Sequence, residues 1–223
     1  MSTSNSFNEM WKALDIEVTS LHARWLVYRQ LYGTSESVID ILNNSASTFF
    51  FLLNDTLLRD IQLSLCMLGD PAESGIGKNK KENLSLWAIQ KEIKVHDLQP
   101  ASDVCRHITL YEDSIKGIRK SRNRWIAHYD RDTILKKKVE PLMHASRSEI
   151  ETALCALRNV MNCISEQCLQ VKQGYEYTSL NEDGETLIHV LKYGLRYKEL
   201  INSGIVDIQD AIDLLHQNTP PRI

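Results

Sequence analysis

The segment Ala101–Trp125, ASDVCRHITLYEDSIKGIRKSRNRW, carries the pattern that decides the fold. Apolar residues recur along it in steps of four and three, at Val104, Ile108, Tyr111, Ile115 and Ile118. Steps of this size place side chains on one face of an α-helix. The spacing therefore predicts a long helix that begins after Pro100 and packs one face against the core.

The same spacing occurs on both sides of this segment. One stripe runs from Phe7 to Tyr32, where Ser6 and Glu9 fit a capping box and Gly33 follows the predicted end of the helix. Another runs from Ile150 to Val171, after a second capping box at Ser146 and Glu149. Both segments are therefore predicted to be amphipathic helices.

A further helix is predicted from about Ser37 to Leu68. It is apolar on more than one side around Phe49–Leu53, which predicts a central position in the bundle. The clearest loop follows at Gly69–Glu82. That loop contains Gly75, Gly77 and Lys78 but departs from the Walker pattern, because Ala72 and Asn79 stand where Gly and Ser or Thr are required.

Nine Gly and five Pro are few for 223 residues, which disfavours a β-sandwich. A polar linker at 173–184 precedes two predicted amphipathic helices, about Glu185–Asn202 and Asp207–Gln217. We therefore predict an all-α, antiparallel helical bundle over residues 1–172. Residues 173–223 would form a linker and two C-terminal helices that pack on the bundle or extend it.

Cellular location is predicted from the cysteines and from the apolar runs. The five cysteines include no Cys-x-x-Cys pair and lie within apolar periodic segments, as expected of reduced core residues. The longest apolar run, Phe49–Leu53, is far shorter than the roughly 20 residues of a membrane span. No secretory signal is visible, so we expect a cytoplasmic protein without a membrane partner.

Charge is concentrated in one place. Residues 116–138 contain nine basic and two acidic residues, whereas the formal net charge of the whole chain is −3. A positive patch on an acidic protein can attract phosphate. A solvated helix face would show the same composition.

Arg122 is the anomaly in the Val104–Ile118 stripe. The steps of four and three that end at Ile118 next reach Arg122 and Trp125, so a guanidinium stands where an aliphatic side chain is expected. Burial of an unpaired Arg is costly. The stripe could reach the surface there, an internal carboxylate such as Asp60 could pair with Arg122, or the stripe could open into a cleft that binds an anion.

Two neighbours of Arg122 favour chemistry on a phosphodiester. Asn123 is adjacent and can orient a partner, and His128 lies at the same predicted helix end. Arg offers a fixed fork for non-bridging oxygens, and His exchanges protons near neutral pH. No metal is required, and no cofactor is expected. Capping of the helix dipole by these charges is the simpler alternative.

Residues 120–130, KSRNRWIAHYD, resemble the signature of the HEPN superfamily, an Arg followed at once by a polar residue and shortly afterwards by a His. Arg122, Asn123 and His128 match it. Together with LLRDIQLSL (57–65) and ENLSL (82–86), the segment is similar to the AbiU-like abortive-infection branch. The resemblance covers roughly residues 5–170.

The resemblance implies a metal-independent endoribonuclease that dimerises and brings two copies of the motif into one cleft. The RNA 2′-hydroxyl would attack phosphorus and leave a 2′,3′-cyclic phosphate. Arg122 would stabilise the phosphorane, His128 would act as acid or base, and Asn123 would position them. Backbone phosphates would be held by Arg119, Lys120 and Arg124.

The resemblance also implies partners and leaves one alternative open. The protein would act as a toxin or phage-defence effector, with RNA, a second copy, and an antitoxin or nucleotidyltransferase as partners. Some HEPN toxins carry a modified Tyr two residues after the His, but here that position is Asp130 and Tyr129 is adjacent. Asp130 could steer His128 or pair with Arg124. Other HEPN domains only bind a nucleotide or a protein.

Overall fold

The computed structural model describes residues 3–75, 80–96, 101–123, 145–207 and 209, and side chains from residue 6 onward. This part of the chain contains seven α-helices and one short hairpin. The helices are α1 (Thr3–Tyr32), α2 (Glu36–Leu68), α3 (Leu86–Val95), α4 (Ala101–Ser114), α5 (Lys116–Ser121), α6 (Arg147–Ile164) and α7 (Gly184–Asn202). Two-residue strands β1 (Glu73–Ser74) and β2 (Lys81–Glu82) pair antiparallel. The all-α bundle prediction is confirmed.

The chain divides into two compact units, residues 1–26 with 55–179 and residues 27–54 with 180–223. The N-terminal part of α1 and the C-terminal part of α2 belong to the first unit, and the remaining parts of these helices belong to the second. This division concerns compact units and leaves the domain boundary at residue 172 a prediction.

The core of the first unit is built on α4 and α6, which pack against each other. The five apolar residues of the α4–α5 stripe, Val104 to Ile118, are completely buried, as their spacing predicts. On α6 the predicted stripe is buried from Ile150 to Ile164. It ends there because a π-helical turn, Ser165–Leu169, follows, and Val171 is half exposed.

The N-terminus of α6 is the capping box that the sequence predicts. The Glu149 backbone N–H donates to Ser146 Oγ at 3.2 Å, and the Ser146 N–H donates to Glu149 Oε2 at 2.8 Å. These bonds satisfy two amides that the helix itself leaves without acceptors. The helix therefore begins at a defined residue, immediately after the Ser146 cap.

The predicted capping box of α1 is wrong. The helix begins at Thr3, so Ser6 and Glu9 lie inside it. The stripe itself is confirmed from Phe7 to Trp25, whose side chains are buried. The end is also as predicted, because the Gly33 N–H donates to the Arg29 carbonyl at 2.8 Å.

The helix after Pro100 is not continuous. Between α4 and α5, Ile115 has a ψ of 3°, and the Ser114 hydroxyl donates to the Tyr111 carbonyl at 2.6 Å. A side chain that bonds to the backbone in this way competes with regular helical bonding. The stripe nevertheless stays on one face, because both Ile115 and Ile118 are buried.

The second unit has a small apolar core of Leu31, Leu42, Phe50 and Ile188. Its α2 portion is interrupted at Ala46, which has non-helical angles (φ −156°, ψ 70°). The predicted central position of the Phe49–Leu53 run is wrong. Phe50 is buried, but Phe49, Phe51 and Leu52 are 59%, 72% and 58% exposed, because a helix with one packed face buries only one residue of such a run.

Other predictions are corrected locally. The predicted polar linker at 173–184 contains one buried residue, because Tyr175 lies in a 3₁₀ turn and its hydroxyl donates to Asp15. Cys155 is exposed rather than in the core, although Cys66 and Cys163 are buried. The predicted helix Asp207–Gln217 lies outside the described residues except at Asp207 and Gln209. Among the helices that are described, none is long and apolar enough to cross a membrane.

Candidate anion-binding site

Arg122 lies where the buried stripe of α4 and α5 reaches the surface. Tyr111, Ile115 and Ile118 are completely buried, whereas the Arg122 side chain is 18% exposed. Its backbone continues the helical conformation immediately after α5. The end of the stripe is therefore a partly covered guanidinium, neither fully sequestered nor fully solvated.

The carboxylate that faces Arg122 is Asp70. Its Oδ1 lies 3.6 Å from Arg122 Nη1, and its side chain is 32% exposed. Asp60, the carboxylate that the sequence offered as a candidate partner, lies elsewhere, because its Oδ2 is 3.0 Å from Nε of Arg24. Asp60 is an interior position of α2 that faces α1, whereas Asp70 is in the turn that follows α2.

The turn at residues 69 and 70 brings Asp70 to the site. After the end of α2, the Gly69 N–H donates to the Cys66 carbonyl at 3.2 Å and the Asp70 N–H donates to the Met67 carbonyl at 3.1 Å. These tighter bonds close the last turn of the helix. As a result, Asp70 follows the helix end directly and meets the C-terminal end of α5.

Arg119 fixes this turn from the other side. Its Nη2 donates to the Gly69 carbonyl at 2.9 Å and lies 3.8 Å from Asp70 Oδ1. The absence of a side chain at Gly69 lets Arg119 and Ile115 pack closely against this turn. A Cβ there would lie 2.7 Å from Ile115 Cδ1 and 3.0 Å from Arg119 Nη2. Arg119 is therefore held against backbone, and its buried Nε has no hydrogen-bond partner within the described residues.

The remaining predicted site residues divide into two groups. Asn123 accepts a hydrogen bond through Oδ1 from Arg122 Nε at 3.1 Å, so the structure brings these two together. Lys120 lies on α5 beside them and is exposed. The other four predicted residues lie outside the described residues: Arg124, His128, Tyr129 and Asp130. Their roles stay predictions.

A buried layer lies beneath the two arginines. Burial raises the pKa of the Cys66 thiol to about 11, although the positive charges of Arg122 and Arg119 act in the opposite direction. Burial likewise raises the pKa of Tyr111 well above its usual value, and its hydroxyl donates to the Leu65 carbonyl. Both groups are neutral near pH 7, and among the described residues the ion pairs of this part of the site join Arg119 and Arg122 to Asp70.

Sequence reasoning missed Asp70, Gly69 and Cys66. The motif Gly69-Asp70-Pro71 marks the end of α2, and an acidic residue next to these helix-ending residues is the local signal that points to Asp70. The contact with Arg122 joins residues about fifty positions apart, and no spacing rule reaches that far. Within the part of the chain that the structure describes, the ion pairs of the site set two guanidiniums against one carboxylate, and this positive excess suits binding of an anion.

A helical bundle with an Arg-Asn pair at the end of a buried stripe has the features expected of a HEPN domain. The sequence profile of the AbiU2 family of HEPN domains matches residues 4–167, and the protein belongs to this family. The predicted abortive-infection branch of the HEPN superfamily is thereby confirmed. No curated protein and no solved structure matches the chain.

Proposed function

We propose that this protein is a metal-independent endoribonuclease that acts as a toxin or phage-defence effector. One observation carries the proposal: within an AbiU2 HEPN domain, the partly exposed Arg122 guanidinium is oriented through Nε by the Asn123 amide at 3.1 Å. An arginine held by one nitrogen keeps its other N–H groups for a phosphate, the partner that its planar fork fits best.

The reaction is an internal transfer at phosphorus. The RNA 2′-hydroxyl gives up its proton and attacks the adjacent phosphorus, the bond to the 5′-oxygen breaks, and that oxygen takes a proton. The products are a 2′,3′-cyclic phosphate and a 5′-hydroxyl. Arg122 stabilises the charged phosphorane, and His128 gives or takes a proton, because the ordinary pKa of a histidine, about 6.5, permits this near neutral pH.

RNA is held by the basic residues that surround the motif. Lys120, which is exposed on α5, contributes a direct phosphate contact together with Arg124. Arg119 contributes its positive charge without a direct phosphate contact, because its Nη2 already donates to the Gly69 carbonyl. Tyr129 and Asp130 are auxiliary, and Asp130 steers His128 or pairs with Arg124. Contacts of this kind make binding dependent on salt rather than on sequence.

The active form is a homodimer, since a second copy would double the charge along the RNA path and bring a second motif into the cleft. The protein works in the cytoplasm, where an antitoxin or a nucleotidyltransferase restrains it. Oligomeric state is measured by light scattering on the full chain. A monomer that cleaves RNA at full rate contradicts this part of the proposal.

The test is cleavage of single-stranded RNA in excess EDTA, with the product ends analysed. Wild-type protein should release 2′,3′-cyclic phosphate ends, and Arg122→Ala and His128→Ala should each abolish cleavage with the fold intact. Arg59→Ala is the matched control, because Arg59 pairs with Asp55 at 2.9 Å within α2 and this variant should cleave as wild type does. Product ends with 3′-hydroxyls, or full activity in both variants, would overturn the proposal.

A second function is favoured by the carboxylate of Asp70. An arginine that already faces an internal carboxylate at 3.6 Å is compatible with a HEPN module that only binds a nucleotide or a protein. This function predicts saturable binding without turnover. His128→Ala would then leave binding unchanged, and wild-type protein would be as harmless in cells as that variant.

A further inference from the structure

Asp70 faces both arginines of the site with one oxygen. Its Oδ1 lies 3.6 Å from Arg122 Nη1 and 3.8 Å from Arg119 Nη2. Hydrogen bonds from nitrogen to oxygen have lengths of about 2.7–3.2 Å, and those between charged partners are shorter. The carboxylate therefore lies in the field of both guanidiniums without a close bond to either.

The two arginines differ in how firmly they are held. Arg119 donates to the Gly69 carbonyl at 2.9 Å, so its position does not depend on Asp70. Arg122 donates through Nε to its neighbour Asn123, and its Nη1 is the atom that lies near Asp70. A phosphate could bind two nitrogens of such a fork at once, which is a stronger interaction than one long contact.

Asp70 also has space to move. It lines a cleft of about 390 Å³ whose other polar side chains are Glu17, Ser64, Glu82 and Asn83, and nearly a third of the Asp70 side chain is exposed. Departure of the carboxylate from Arg122 therefore places it in an open, partly solvated cleft. Loss of this long contact should be easily offset, because partly exposed ion pairs are weak and a bound phosphate would replace the charge that leaves.

We propose that Asp70 is an internal counter-ion of Arg122 and that a phosphate group of RNA displaces it. The inference rests on the proposed function, and it assigns to Asp70 a role in setting the affinity of the protein for RNA. In the free protein the carboxylate neutralises part of the positive site. On binding, the phosphate oxygens take its place at Arg122, and Asp70 opposes them by repulsion.

Affinity should therefore rise when Asp70 loses its charge. The experiment measures binding of a fluorescent single-stranded RNA whose 2′-hydroxyls are all methylated, so that it cannot be cleaved by 2′-attack. Asp70→Asn should lower the Kd about threefold or more at low salt. The slope of log K against log salt should become steeper, by up to about 0.7 for each additional phosphate that the variant neutralises.

Two controls separate a local effect from a general one. Asp55→Asn removes the same charge from an aspartate that pairs with Arg59 at 2.9 Å, and it should leave the Kd unchanged. In an Arg122→Ala background, Asp70→Asn should no longer tighten binding, because the displaced contact is absent. Asp70→Ser replaces Asp70→Asn if the amide variant does not fold.

The outcomes are distinct from those of the nuclease test. Unchanged or weaker binding by Asp70→Asn, equal tightening in the Arg122→Ala background, or no binding by any variant overturns the role of Asp70. If Asp70→Asn tightens RNA binding in a way that depends on Arg122 but no RNA is cleaved, the counter-ion role of Asp70 is supported and the nuclease proposal is contradicted. If wild-type protein cleaves RNA but Asp70→Asn does not bind it more tightly, the nuclease proposal is supported and the counter-ion role of Asp70 is contradicted.

Discussion

The Tyr111 hydroxyl of α4 donates a hydrogen bond to the Leu65 carbonyl at the C-terminal end of α2. Leu65 needs this donor, because the Gly69 N–H that would continue a regular helix bonds to Cys66 instead. The carbonyls in the last turn of a helix have no N–H donor within the helix and take donors from elsewhere. A completely buried tyrosine thus closes the helix end that carries Asp70.

Tyr111→Phe should destabilise the protein for this reason. The substitution keeps the ring and leaves the Leu65 carbonyl buried without its donor, which costs about 1–3 kcal/mol. Urea unfolding followed by circular dichroism measures the loss. Tyr177→Phe is the matched control, because Tyr177 is 81% exposed and its variant should unfold as wild type does. Identical midpoints for both variants would show that the buried bond contributes nothing.

Gly69→Ala should harm both stability and the site. The new Cβ would lie 2.7 Å from Ile115 Cδ1 and 3.0 Å from Arg119 Nη2, so these two side chains must shift. Overpacking of this kind costs about 1–3 kcal/mol. RNA cleavage should fall with it, because Arg119 and Asp70 both depend on this turn. Thermal unfolding and the cleavage assay in EDTA measure the two effects.

Gly194→Ala is the control for Gly69→Ala, because it should raise the stability of the protein rather than lower it. Gly194 lies within α7, and a Cβ there would meet nothing within 4 Å. Replacement of a helical glycine by alanine stabilises by about 0.5–1 kcal/mol through the reduced entropy of the unfolded chain. A Gly69→Ala protein as stable as Gly194→Ala would contradict the close packing at the α2–α5 junction.

His22 should make stability depend on pH. It is buried in α1, where its Nδ1 bonds to the Val18 carbonyl at 2.9 Å and its ring stacks on Tyr175. Burial lowers its pKa, and the Arg158 guanidinium, 3.4 Å from Nε2, adds to this effect, whereas its carboxylate neighbours Glu151 and Glu176 and the bond to Val18 oppose it. A histidine with a lowered pKa binds protons more readily when the chain is unfolded.

The sign of the effect follows from that difference. The contribution of neutral His22 is complete above the unfolded-state pKa of about 6.5 and is lost as the pH falls toward the lower folded-state pKa. His22→Gln should therefore lose less stability than wild type between about pH 7.5 and pH 5.5. Urea midpoints at the two values measure this. The exposed His189 supplies the control, and His189→Gln should keep the wild-type dependence.

Local periodicity predicted the helices well where one face of a helix is packed. The residues of the Val104–Ile118 stripe are all completely buried, and the Ser146–Glu149 capping box forms as its residue types indicate. Periodicity failed at Phe49 and Phe51, because a run of apolar residues does not say which of them faces a partner. The capping box at Ser6 failed because the helix begins earlier, at Thr3.

The sequence by itself determined the all-α class, the family resemblance, and the position of Arg122 at the end of an apolar stripe. These properties depend on residues within a few helical turns of one another. Only the tertiary structure decided that Asp70, and not Asp60, faces Arg122. The partner of a charge depends on which helix ends packing brings together, and Tyr111, Gly69 and Arg119 bring the end of α2 to the end of α5.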